Sequence, residues 1–119
     1  MTSTRQRLGR LGENLACRHL RDLGFLILDR NWRCRDGEID VVALDSGQVV
    51  ICEVRTRHGT TAGTPAESIT RSKIRRLRKL AWQWLQHRGA KTSWVRIDVI
   101  GIQIDDLGRH EITHIRGVE

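Results

Sequence analysis

The sequence predicts an α/β domain in which helices flank a mixed central sheet, and three observations predict it. Helix-period and strand-like stretches follow the order helix, strands, helix, strands. The central strand-like stretches are nearly continuous apolar runs, as expected of strands covered on both faces. At 119 residues the chain suits one compact unit, so residues 1–119 are read as a single domain.

Leu8, Leu11, Leu15, Ala16, Leu20 and Leu23 recur at helical spacing and Gly24 follows as a stop, which predicts an amphipathic helix over 8–23. Residues 25–28 form a short apolar run, and Trp32-Arg33-Cys34-Arg35 reads as a basic loop entering an Asp36-Gly37 turn. The β-rich stretches 38–44 and 48–54 flank Asp45-Ser46-Gly47, a composition typical of a tight antiparallel hairpin. After a polar loop over 56–63, Thr64-Pro65-Ala66-Glu67 matches a capping box with proline at the first helical position. Thr70 offers a restart, because Ile74, Leu77, Leu80, Ala81, Trp84 and Leu85 make an apolar stripe that runs out near His87 and Gly89. A further strand over 94–104, a turn at 105–108 and a short extended segment, His110–Ile115, complete the order.

Apolar residues make up 39% and charged residues 29%, a balance that supports a packed core. A formal net charge of +7 points to a polyanionic partner, with nucleic acid ahead of an acidic membrane. Cys17, Cys34 and Cys52 are odd in number and lack a CxxC pair, so neither a disulfide framework nor a zinc site is suggested. With no apolar leader segment and no run long enough to span a bilayer, the expectation is a cytoplasmic protein with no membrane partner.

Two acids interrupt apolar strands. Asp40 lies within Ile39-Asp40-Val41-Val42 and Glu53 ends Val49-Val50-Ile51-Cys52-Glu53. A carboxylate buried without compensation costs several kcal/mol, on the order that forces a proton onto it. Register decides whether the two cooperate, since a one-residue slip moves a side chain to the other face. Pairing of Leu44 with Gln48 sends them apart, whereas a two-residue loop (Ser46-Gly47) or a four-residue loop (45–48) sets Asp40 opposite Glu53 with Arg55 on their face. The shared face is the reading adopted here. Such a pair repels unless a cation lies between, and Mg²⁺, held by one or two carboxylates plus waters and a substrate phosphate, suits it. Phosphodiester hydrolysis is the chemistry implied.

Gly12-Glu13, Arg30-Asn31-Trp32-Arg33, Gly37-Glu38-Ile39-Asp40, Glu53-Val54-Arg55-Thr56-Arg57 and Arg96-Ile97-Asp98-Val99-Ile100 together resemble the YraN family of predicted endonucleases over nearly the whole chain. The resemblance implies a restriction-endonuclease-like fold, of the PD-(D/E)XK superfamily that also contains archaeal Holliday-junction resolvases. It implies a catalytic set of Glu13, Asp40, Glu53 and Arg55, with Asp40, Glu53 and the Val54 carbonyl as ligands of Mg²⁺ or Mn²⁺, and DNA, structured or branched, as substrate. Arg55 stands where that pattern has lysine. A guanidinium stays protonated, so position 55 is not a general base, though it can still pair with phosphate.

Arg57, Arg71, Lys73, Arg75, Arg76 and Arg78 are the candidate phosphate contacts, each a residue that otherwise serves as part of a solvated basic face. Glu38 is read as a solvated or arginine-paired acid, and Asp98 as an acid in a salt bridge with the basic helix. Trp32 could stack on a base, while Trp82, Trp84 and Trp94 are read as packing residues and the five histidines as solvated. Three functions follow: a metal-dependent endodeoxyribonuclease, a nuclease-fold module that binds DNA or RNA without cutting it, or a ribosome- or nucleoprotein-bound scaffold that binds RNA by the same positive surface. Paired sites on a symmetric substrate would call for a homodimer, for which no seam is legible in the sequence.

Overall fold

The computed structural model describes residues 3–59, 65–92 and 94–119. Its elements are α1 (Thr4–Asp22), β1 (Leu26–Cys34), β2 (Gly37–Asp45), β3 (Gln48–His58), a 3₁₀ turn (Pro65–Ser68), α2 (Arg71–Arg88), β4 (Arg96–Ile104) and β5 (His110–Ile115). The five strands form one sheet in the order β1-β2-β3-β4-β5. Only the β3–β4 pair is parallel, with α2 in the connection between them. The fold is α/β, a mixed sheet flanked by helices, as the element order predicts.

Each helix covers one face. Ala16, Cys17 and Leu20 of α1 pack with Val41, Ala43, Val50, Cys52, Ile100 and Ile102. Ile74, Leu77, Leu80, Ala81, Trp84 and Leu85 of α2 pack on the other side with Ile39, Val42, Ile51 and Ile97. Because β3 and β4 are buried from both sides, they read as unbroken apolar runs rather than alternating ones.

Helix α1 begins four residues before the apolar stripe. Ser3 and Gln6 form a reciprocal capping box, the Ser3 side chain accepting from the Gln6 amide and the Gln6 side chain accepting from the Ser3 amide. The segment read as a Trp-bearing loop is strand: β1 pairs with β2 from Leu26 to Cys34, with a bulge between Ile27 and Asp29. Asn31 carries a positive φ of 52° within it, a conformation Asn tolerates better than most side chains. The capping box at Thr64 lies outside the described residues. A single 3₁₀ turn begins at Pro65, and the long helix restarts at Thr70, whose hydroxyl accepts from the Lys73 amide.

Several side chains depart from expectation. Trp84 is buried, but Trp82 and Trp94 are 60% and 68% exposed. On a helix two residues separate side chains by about 200°, so Trp82 and Trp84 cannot share one face. Trp32 packs against the α2-side core with its ring 5.8 Å from His87, so packing is its role in the fold. His19 and His114, read as solvated, are partly buried and joined through ring nitrogens 3.0 Å apart. Asp98 faces α1, not the basic helix. There it takes two bonds from Arg96 (2.9 and 3.0 Å), one from His114 (2.8 Å) and one from the Gly117 amide (3.1 Å). Burial pushes its carboxyl up, but these donors outweigh burial and hold it below the ordinary carboxylate range.

Gly12 marks the closest approach of α1 to the sheet: a Cβ there would overlap the Thr56 side chain of β3. Gly12→Ala should therefore cost about 1–3 kcal/mol, and Thr56→Ser or Thr56→Ala in the same chain should recover part of it in chemical denaturation. Asp98→Ala should cost about 3–5 kcal/mol at neutral pH, because it breaks a buried pair and takes the acceptor from two Arg96 nitrogens and His114, with Asp45 the one carboxylate still on Arg96. A group held below its ordinary pKa stabilises above that value and ceases to as pH falls, so this deficit should shrink only under acid conditions below the usual carboxylate range. Urea melts from neutral to strongly acid pH check both.

Candidate nuclease-type carboxylate site

The hairpin joining β2 and β3 has a two-residue connection, Ser46 and Gly47, since Asp45 pairs with Gln48. Both residues have positive φ (50° and 87°), as in the primed turns that match strand twist. Regular pairing runs from Asp45–Gln48 to Val41–Cys52 and stops one step short of Asp40 and Glu53. Of the registers open to the sequence, this is the one that brings the acids together.

Beyond Val41 the ladder opens. Ile39 packs on the α2 side with Val42, three residues on, so the alternation of β2 slips at Asp40. The Asp40 carboxyl then turns toward β3, where Oδ2 accepts from the Val54 amide at 2.9 Å. Burial, above all, and then the neighbouring Glu53 carboxylate raise its pKa to about 8, despite the opposing Val54 hydrogen bond.

Glu53 is buried at the same point, and cations answer it from the α2 side. Lys73 Nζ lies 3.4 Å and an Arg55 terminal nitrogen 3.7 Å from Glu53 Oε2. Arg55 also donates to the Ser68 hydroxyl at 3.4 Å, which ties it to the 3₁₀ turn. Lys73 was legible only as one of many basic residues. Its proximity to Glu53 depends on how α2 docks.

Glu13 enters from α1. Its Oε1 accepts from Arg30 Nε and a terminal Arg30 nitrogen (3.2 and 3.1 Å) and from the Asn31 side-chain amide (2.8 Å). Its Oε2 has no hydrogen bond among the described residues. Glu13 and Asp40 line one open cleft of about 710 Å³ together with Arg5, Arg10, Asn31 and Arg33. Glu38, which lines the same cleft, is paired with Arg33 at 3.4 Å.

The arginines at this cleft were missed in the sequence. Arg5 and Arg10 belong to the first turns of α1, and the Ser3-x-x-Gln6 capping box was the signal that could have placed them on a helix. Of the residues expected to contact nucleic acid, Lys73 sits at Glu53, Arg76 lies beside Gly37, and Arg71, Arg75 and Arg78 line a separate groove of about 400 Å³. Arg57 has no ion pair among the described residues. No three His, Cys, Asp or Glu side chains among the described residues lie close enough to form a metal cluster by themselves. Cys17 and Cys52 are buried free thiols and Cys34 is partly buried.

A mixed sheet with one helix on each face, and carboxylates where two of its strands part, defines a restriction-endonuclease-like fold. The model of the uncharacterised protein family UPF0102 matches residues 12–102, so the chain belongs to that family, which is the YraN family its motifs resemble. Relatives similar to the chain over most of their length are each called a UPF0102 protein. A Mycobacterium sp. (strain KMS) protein is 50% identical over 98% of this chain and 88% of its own length. A Mycobacterium marinum protein is 49% identical over 98% of each, and one from Nocardioides sp. (strain JS614) is 46% identical over 96% and 92%. No helix of the described residues is long and apolar enough to cross a membrane.

A carboxyl whose folded pKa exceeds its unfolded value binds an extra proton in the folded state, so the metal-free fold loses stability as pH rises from about 4 toward about 8. Asp40→Asn keeps an acceptor for the Val54 amide and removes the titration. In chelator, the variant should therefore gain thermal stability over the parent as pH rises across this window. A constant difference between pH 5 and pH 8 would contradict the burial argument.

Proposed function

We propose that this protein is a divalent-metal-dependent endonuclease that cleaves DNA phosphodiester bonds, structured or branched DNA among them. The observation that carries the reading is the convergence of Asp40 and Glu53 at the end of the hairpin ladder, beside an open cleft edged with arginines.

The residues fit a hard cation. Asp40 and Glu53 supply charge, the Val54 carbonyl is available on the same strand, and Glu13 Oε2 is the unbonded oxygen of a carboxylate whose other oxygen takes three hydrogen bonds. Mg²⁺ and Mn²⁺ retain several waters and need only one or two carboxylates from the protein, which Asp40 and Glu53 can supply. When bound, the ion would lower the pKa of a water and offset charge on the phosphate.

The chain's own residues do the rest. The Val54 amide fixes one Asp40 oxygen so that the other faces the cleft. Arg5, Arg10 and Arg33 draw in the phosphate backbone. Lys73 supplies the compact ammonium that the family pattern has at position 55, while Arg55 is left to position Glu53 and pair with phosphate. Acting on nucleic acid in the cytoplasm would also keep Cys17, Cys34 and Cys52 reduced.

One observation favours a second reading, a module that binds DNA or RNA without cutting: Glu53 already has two cationic partners. The assay separates them. Purified protein with Mg²⁺ or Mn²⁺ should nick duplex, single-stranded or four-way-junction DNA. Asp40→Asn should abolish this, and Lys73→Ala should slow it by roughly 10²-fold, the scale of losing one transition-state electrostatic contact. Mn²⁺ binding, followed by paramagnetic resonance, should weaken in Asp40→Asn. Cleavage that survives in Asp40→Asn sinks the site, and Mn²⁺-independent binding without cleavage favours the module.

A further inference from the structure

Helix α2 spends its apolar residues on the core, yet one large aromatic remains outside. Ile74, Leu77, Leu80, Ala81, Trp84 and Leu85 are buried, and Trp82 projects from the flank of that stripe, 60% exposed. Its ring has no aromatic or cation–π contact among the described residues. Burying it would be expected if packing were its purpose.

Its neighbours on that side are cations. Arg71, Arg75, Arg78 and Trp82 follow at spacings of four, three and four, which aligns them on one ridge about 16 Å long. The helix contains no acidic residue. None of these three arginines has an ion pair among the described residues, and Arg78 makes only a long bond, 3.5 Å, to the Val118 carbonyl. The three also line the groove of about 400 Å³, with Ile74 and Glu119. A lone indole at the end of a row of unpaired guanidinium groups matches a polyanion whose units carry flat apolar faces.

We propose that the outer ridge of α2 binds an unpaired nucleic-acid strand, with Trp82 stacked on a base and Arg75 and Arg78 holding the adjoining phosphates. The inference rests on the reading of the chain as a nucleic-acid-binding protein, and not on cleavage. Paired bases already cover one another's faces, so an indole finds a partner where the strand is unpaired. A lipid surface is a poorer match, because insertion needs a continuous apolar face and that of α2 is spent on the core. A protein partner would need an apolar patch far larger than one ring. The ridge lies away from Lys73 and Glu53, on the opposite side of the same helix, so it would engage a segment outside the carboxylate site.

Fluorescence anisotropy tests this with labelled oligothymidylate, the same sugar-phosphate strand made abasic throughout, and a blunt duplex. Trp82→Ala should weaken oligothymidylate binding roughly tenfold, as loss of one stacked base predicts. Trp82→Phe should restore most of it, and affinities for the abasic strand and the duplex should change less than about twofold. Unchanged oligothymidylate binding overturns the proposal, as does an equal loss on all three ligands. So does sedimentation with phosphatidylglycerol vesicles that depends on Trp82 while strand binding does not. Failure of the nuclease reading is distinct: Asp40→Asn tests cleavage and should leave Trp82-dependent binding intact.

Discussion

The register of the β2–β3 hairpin governs the candidate site, and it depends on two residues at the far end of the strands. Ser46 and Gly47 both take positive φ, which closes the turn in two residues and pairs Asp45 with Gln48. Carried along the strands, that pairing holds as far as Val41 and Cys52 and delivers Asp40 and Glu53 to the point where the ladder opens. A connection one residue longer would turn one acid to the other face of the sheet. The freed Val54 amide, the exposure of Asp40 to the α1-side cleft and the reach of Lys73 to Glu53 all presuppose this register.

Two buried aspartates show how differently one fold can treat the same group. Asp98 is surrounded by donors, and its carboxyl is held below the ordinary range. Asp40 has one amide donor and an acidic neighbour, and its carboxyl is driven up to about 8. Asp98 is thereby a finished structural joint between β4 and the end of the chain. Asp40 is left incomplete beside an open cleft.

The basic residues divide in the same way. A net charge of +7 spread over the chain says little about where a polyanion would lie. Folding sorts it: Arg5, Arg10 and Arg33 edge the carboxylate cleft, Lys73 faces Glu53, and Arg71, Arg75 and Arg78 gather in a groove on the far side of α2. Basic residues adjacent in sequence thus serve different surfaces, since successive helix positions turn by about 100°.

By itself the sequence determined the element order, the α/β class, the hairpin, the Thr70 cap of α2 and the family, because each is carried by local periodicity, turn chemistry or motif. Asp40 and Glu53 were legible for the same reason: an acid in an apolar strand is conspicuous wherever the strand ends up. It did not determine that Arg30 to Cys34 continue β1, that Trp82 and Trp94 are exposed, that Asp98 is answered by Arg96 and His114, or that Lys73 reaches Glu53. Those facts depend on which face of the sheet each helix covers and at what height it docks. That is decided by packing between distant segments, such as Gly12 against Thr56, and no local pattern encodes it.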